Sequence, residues 1–196
     1  LCYDVWIRLI HASEQGKCMG DSDKTLLQIL HLQQLNLPQA ISETELQQEG
    51  FVTVSHTLSL LRRMNEPYPH IIAKEKGTVI GYALVMLRTL DQEIPILQPM
   101  FREIHTIEYK GQLLADTPYF VMGQVCIAKA FRGKGLFAGL YQHMRQEMSP
   151  HFRYLVTEVA KRNPRSMRAH EKVGFQAVKE YESGGEDWVI LLWDWA

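Results

Sequence analysis

Cysteine is scarce in this chain: Cys2, Cys18 and Cys126 are the only three, widely spaced and without a C-x-x-C pair. That argues against both a disulfide framework and a zinc site, and no metal is expected. No apolar run approaches the ~20 residues that a membrane helix requires. The opening, LCYDVWIRLI, has neither the basic leader nor the long apolar core of a signal peptide. Charge of one sign is lacking too, since 21 Lys and Arg stand against 22 Asp and Glu for a net charge of -1. No overall field therefore marks nucleic acid or a membrane as an obligatory partner. These absences predict a cytoplasmic protein with no nucleic-acid and no membrane partner. Neither GxxxxGK[ST] nor GxGxxG occurs, which weakens nucleoside-triphosphate and nicotinamide readings.

What is present is an ordinary globular composition, 46% hydrophobic over 196 residues, enough for one domain, expected to span 1–196. Residues 3–10 mix β-branched and aromatic residues as a strand does. From about Ser22 the spacing of Leu26, Leu27, Leu30 and Leu35 predicts an amphipathic helix ending near Pro38. A second helix is expected over 57–64. Runs at 70–74 and 79–87, joined through Gly77, predict an antiparallel hairpin. Residues 91–117 show no clean periodicity beyond a turn at Lys110-Gly111. Then YFVMGQVCIA reads as a strand, KAFRGKG as a loop and LFAGLYQHMRQEM as a helix. A strand at 154–159, a short helix at 164–173 and two closing strands at 175–181 and 188–193 complete a mixed α and β pattern around one sheet.

Two segments carry chemistry. In VCIAKAFRGKGLFAGL a strand feeds a loop with two glycines and two cations, and a helix starts at once. N–H groups at a helix start have no internal partner and can point at a phosphate, aided by the helix dipole. Gly133 and Gly135 allow close approach and unusual φ angles, and Arg132 and Lys134 add charge. A plain structural turn is the competing reading of this loop taken alone. The second segment is NPRSMRAHEKVGF. Asn163 suits an N-cap, Pro164 the first helical position and Gly174 the residue that ends a helix. Ser166 and His170 share a face, and Lys161, Arg162, Arg165, Arg168 and Lys172 make the stretch basic. A solvated basic helix with a satisfied histidine is the competing reading here.

The two segments together resemble the GNAT superfamily of acyl-CoA N-acyltransferases. That family's pyrophosphate loop carries Arg or Gln, two variable residues, Gly, one variable residue, then Gly or Ala. Arg132, Gly133, Lys134, Gly135, Leu136 and Phe137 take those places, with Phe137 departing from the small residue although Ala138 and Gly139 follow. In the later motif a Tyr commonly stands four residues before the Gly of Gly-Phe, and here His170 stands there. The resemblance is strong over 119–175, plausible for the hairpin and weak before it. It implies an α+β fold with a mostly antiparallel sheet of six or seven strands, splayed at the cofactor site and flanked by helices. It also implies acetyl-CoA (coenzyme A) as cofactor and an amine on a small molecule, protein or peptide as acceptor. Val125, Cys126 and Ile127 would then pair with the pantetheine arm, and the loop N–H groups from Arg132 to Phe137 would hold the pyrophosphate. Asn163 and Ser166 would bond the pantetheine. His170 would give the leaving thiolate its proton, as the family's Tyr does, or only contact the cofactor. Direct attack, without a covalent enzyme intermediate, goes with the family.

A base must deprotonate the amine, whose ordinary pKa is roughly 10.4. Glu158 is a candidate, with Glu108 and Tyr119 behind it. The 91–117 stretch reads as an excursion near the acceptor. Trp188, Trp193 and Trp195 read as a half-buried final strand, an acceptor pocket or homodimer contact being the alternative. Cys126 reads as a small buried hydrophobe. Two other functions compete: a catalytically weak acyl-CoA-binding or sensing module, and a nucleic-acid-binding domain using 161–172.

Overall fold

The computed structural model describes residues 5–9, 21–42, 44 and 51–196. Its main strands are β1 (Val5–Leu9), β2 (Ile71–Glu75), β3 (Thr78–Met86), β6 (Tyr119–Ile127), β7 (Tyr154–Ala160), β8 (Gln176–Ser183) and β9 (Glu186–Asp194). A separate small hairpin pairs β4 (Glu108–Tyr109) with β5 (Gln112–Leu113). The seven form one sheet in the order β1-β2-β3-β6-β7-β9-β8. Every neighbouring pair is antiparallel except β6 and β7. The expected mixed fold with a mostly antiparallel sheet is therefore present, with seven strands.

Helices α1 (Asp21–Gln34), α2 (Leu58–Asn65), α3 (Gln98–Ile104), α4 (Leu136–Met148) and α5 (Pro164–Val173) pack on the sheet. Successive strand residues point to opposite faces, and the core divides accordingly. Leu84, Val156, Ile190 and Leu192 join Leu26 and Ile29 of α1, Leu61 and Met64 of α2, and Phe101 of α3 in one cluster. Val85, Leu155, Val189 and Leu191 join Leu140, Tyr141 and Met144 of α4 in the other.

The second and fourth helices start where local chemistry dictates. Thr57 caps α2, its hydroxyl accepting from Leu60 N–H, and α4 begins directly after Gly135, whose φ of +81° suits glycine. The expected helix from Ser22 is α1, although it ends at Gln34 and leaves Leu35 55% exposed in the following turn. Of the strand expected at 3–10, the residues outside 5–9 lie beyond those described, as do Cys2 and Cys18.

The parallel joint between β6 and β7 is short. Tyr119, Phe120 and Val121 face Tyr154, Leu155 and Val156, and no later residue of either strand is paired across it. Gly123 opens the gap from the other side. It is an extra residue in the β3–β6 ladder, where Leu84 faces Gln124 and Val85 faces Met122, and such a bulge bends its strand. The splay expected of the fold is this gap.

Residues 91–117 include the expected turn at Lys110-Gly111, where both residues have positive φ. They form short helical turns, α3 and the small hairpin, and neither of the two cavities described below is lined by them. Ile94, Leu97, Met100, Ile104, Ile107 and Leu114 bury their side chains in the α1 cluster. Lys110 bonds Asp194 at 2.6 Å and Glu103 bonds Lys179 at 2.6 Å, so the stretch braces β8 and β9.

Candidate functional site

Backbone conformation shapes the loop before α4. Gly133 and Gly135 both have positive φ, +73° and +81°, and α4 has no side-chain cap at its start. Its first N–H groups are thus left for a ligand. Opposite lies the start of α5, where Asn163 Oδ1 accepts from Ser166 N–H at 3.1 Å. The two helix starts and the open edge of β6 enclose a cavity of about 540 Å³, a volume typical of cofactor sites.

Of the residues singled out in the sequence, Val125, Cys126, Ile127, Arg132, Gly133, Gly135, Leu136, Phe137, Asn163 and Ser166 line this cavity. Lys134 and His170 do not. The Lys134 ammonium lies 5.1 Å from the Phe131 ring centre. Arg165, Arg168 and Lys172 reach the cavity from α5 and give it positive charge. Burial pushes the Cys126 thiol up to about 12, so it stays a neutral, buried wall rather than a nucleophile.

Arg132 departs in part from the expected role. Its Nε donates to Ile127 O at 3.1 Å and its Nη2 to Asn36 Oδ1 at 2.6 Å. Asn36 in turn anchors α1 through Leu32 O at 2.8 Å, and its carbonyl accepts from Val52 N–H at 3.1 Å. Arg132 thus ties the loop to the segment at 51–54, and Asn36, Phe51 and Val52 also line the cavity. Sequence reading missed these three. They lie far from the motifs in the chain, and no local pattern marks them.

A smaller cavity of about 80 Å³ continues into the gap between β6 and β7. Its lining includes Phe51, Thr53, Gly123, Gln124, Thr157, Glu158, His170 and Trp188. Among the described residues, Glu158 is its only carboxylate. Burial raises the Glu158 carboxyl to about 7, opposed by a hydrogen bond from the Tyr181 hydroxyl. Gln124 is held on both sides: its Oε1 accepts from Gln33 Nε2 at 2.7 Å and from Tyr82 Oη at 2.5 Å, and its Nε2 donates to Val54 O at 2.8 Å. Trp188 faces this cavity, whereas Trp193 and Trp195 are buried in the α4 cluster.

His170 is 1% exposed and both ring nitrogens are engaged. Nδ1 donates to Ser166 O at 2.8 Å, and Nε2 accepts from Tyr141 Oη at 2.7 Å. Burial lowers this imidazole to about 4, with the Ser166 carbonyl acting in the opposite direction. A ring held neutral in this way keeps its one proton on Nδ1, committed to the Ser166 carbonyl. Phe137 stacks edge-on against it at 5.0 Å. The two departures from the family pattern are therefore neighbours in space, each filling room beside the other.

Among the described residues, no group of three His, Cys, Asp or Glu side chains could hold a metal ion, and no helix is long and apolar enough to cross a membrane.

Residues 29–175 match the acetyltransferase (GNAT) family. No curated protein matches the chain. Among solved structures the fold is similar to the ribosomal-protein-S18-alanine N-acetyltransferase of Escherichia coli, at TM-score 0.59 and 13% identity over 97% of this chain and 93% of that one. It is also similar to a putative acetyltransferase from Salmonella typhimurium with its cofactor acetyl-CoA, at TM-score 0.57 and 15% identity, over 98% and 94% of the two chains. A spermidine N-acetyltransferase chimera built in part from the Vibrio cholerae enzyme gives TM-score 0.55 and 13% identity, over 97% and 95%.

Proposed function

The chain belongs to the acetyltransferase (GNAT) family, and from that premise we propose that it moves an acetyl group from acetyl-CoA to a primary amine by direct attack. The amine belongs to a small molecule or to a protein or peptide, and residues 1–196 act as one domain. One observation carries the reading: an uncapped helix start and the open edge of β6 border the same cavity. That pairing suits an elongated ligand with a phosphate end and an amide-bearing end.

In this reading the first N–H groups of α4, with Gly133 and Gly135, hold the pyrophosphate, and Arg168 and Lys172 balance its charge. Main-chain groups of Val125, Cys126 and Ile127 pair with the pantetheine amides as an added strand would. Asn163 and Ser166 border both cavities and steer the arm from one to the other. Acetyl-CoA supplies an acyl group already activated as a thioester. Glu158 takes the proton from the amine, since a carboxyl near 7 is ionised often enough to act and basic enough to help. His170 keeps the α5 start in place through its bond to Ser166 O and gives no proton to the leaving thiolate. A thiol of pKa about 8.5 leaves readily without a dedicated acid.

Calorimetric titration with acetyl-CoA tests the reading. The protein binds saturably, and the exposed pair Arg168→Glu/Lys172→Glu weakens binding at least about tenfold with an unchanged circular dichroism spectrum. Absence of binding by the unaltered protein sinks the proposal. Binding without turnover on any amine would favour the weak binding module, a reading that the half-buried carboxylate in the smaller cavity argues against.

A further inference from the structure

Glu158 and Tyr181 come together across an intervening strand. Glu158 on β7 faces Ile190 of β9, while Tyr181 on β8 faces Trp188, two residues before Ile190. Paired residues share a sheet face, so both side chains emerge on the side where 51–54 covers the gap. The Tyr181 hydroxyl donates to Glu158 Oε2, and the carboxylate borders the smaller cavity.

Among the described residues, the other groups around the pair carry little competing charge. Glu103 of α3 acts on Tyr181 but is held by Lys179 at 2.6 Å. Arg162, after β7, pairs with Glu186 and lies 4.6 Å from the Phe51 ring centre. His170, across the smaller cavity, is neutral at working pH. Gln124 and Thr157, together with Phe51, Val52, Thr53, Trp188 and Ile190, bring none. Among the described residues, the hydroxyl is thus the one specific influence on a carboxyl otherwise governed by burial.

We infer that Tyr181 is a positioning residue that aims the Glu158 carboxylate and favours its ionised form, making a Tyr–Glu pair the proton acceptor of acetyl transfer. The amine N–H bond breaks, its electron pair stays on nitrogen, and the proton goes to Glu158 while Oε2 keeps its bond from Tyr181. This rests on the proposed role of Glu158 as base.

Two readouts test it in the unaltered protein, Tyr181→Phe and Glu158→Gln. The first is a ¹³C NMR titration of glutamate carboxyls, which needs no acceptor. The second is the pH dependence of kcat/KM for acetyl transfer to spermidine, an alanine-terminated peptide and a lysine peptide. One carboxyl titrating near neutrality should vanish in Glu158→Gln. In Tyr181→Phe its midpoint, and the acid limb of the rate profile, should both move alkaline by about half a unit or more, since a bond to the charged form is lost. Tyr181→Gln, which retains a donor, should move them less. A midpoint unmoved in Tyr181→Phe, with acetyl-CoA binding intact, overturns the inference. An acid limb that persists at full rate in Glu158→Gln instead overturns the base itself.

Discussion

Three histidines are folded away as neutral rings. Burial lowers His56 and His170 to about 4 and His70 to about 3. Val85 N–H donates to His70 Nδ1 at 3.1 Å, and its Nε2 bonds Leu61 O at 3.2 Å. A histidine with a depressed folded pKa binds fewer protons folded than unfolded, so its contribution to stability is lost as pH falls below about 6.5. Glu158 works the other way. Its raised pKa means the fold binds more protons than the unfolded chain between about 4.5 and 7, so stability rises there as pH falls. Three rings outweigh one carboxyl, and urea unfolding should show a net loss on the order of 3 kcal/mol between pH 7 and pH 5. Stability that is flat or higher at pH 5 would contradict the buried neutral rings. Glu158→Gln should steepen this loss by removing the opposing group. The same substitution should lower acetyl transfer by about 100-fold or more while leaving acetyl-CoA affinity unchanged, measured by steady-state rates beside calorimetry.

At the scale of elements, α5 and its surroundings were the most legible part of the chain. Asn163, Pro164 and Gly174 mark both ends of the helix, and its bounds are those expected. The reason for Gly174 could be read only from the fold. Its φ is +125°, and a Cβ there would come within 2.6 Å of Trp193 Nε1, a ring already packed on Phe175 and Tyr141. Gly174→Ala should cost about 3 kcal/mol, seen as a drop in Tm of roughly 6–12 °C. The tie between Arg132 and Asn36 was hidden, because its partners are 96 residues apart and neither carries a local sign of the other. Asn36→Ala should weaken acetyl-CoA binding about tenfold by freeing the loop from α1. Undiminished binding would mean that the loop holds its shape alone. Residues 91–117 were illegible for a related reason. Their short turns are set by burial of scattered side chains such as Leu97 and Phe101 rather than by any repeating pattern.

For the molecule as a whole, the strand content could be anticipated from local signals, and the place of the splay followed from the family resemblance that the two motifs carry. The size of the joint at the splay could not, since register between β6 and β7 depends on a bulge at Gly123 that no turn residue announces. Among the described residues, only three ladder pairs join β6 of β1-β2-β3-β6 to β7 of β7-β9-β8. The consequence lies in isotope exchange. Amide protons of Gly123 to Ile127 that point away from β3, and those of Glu158 to Ala160 that point away from β9, have no strand paired to them across the gap. They should take up deuterium early in the free protein and late once acetyl-CoA spans the gap, so that the uptake of this one seam serves as a clock for occupancy.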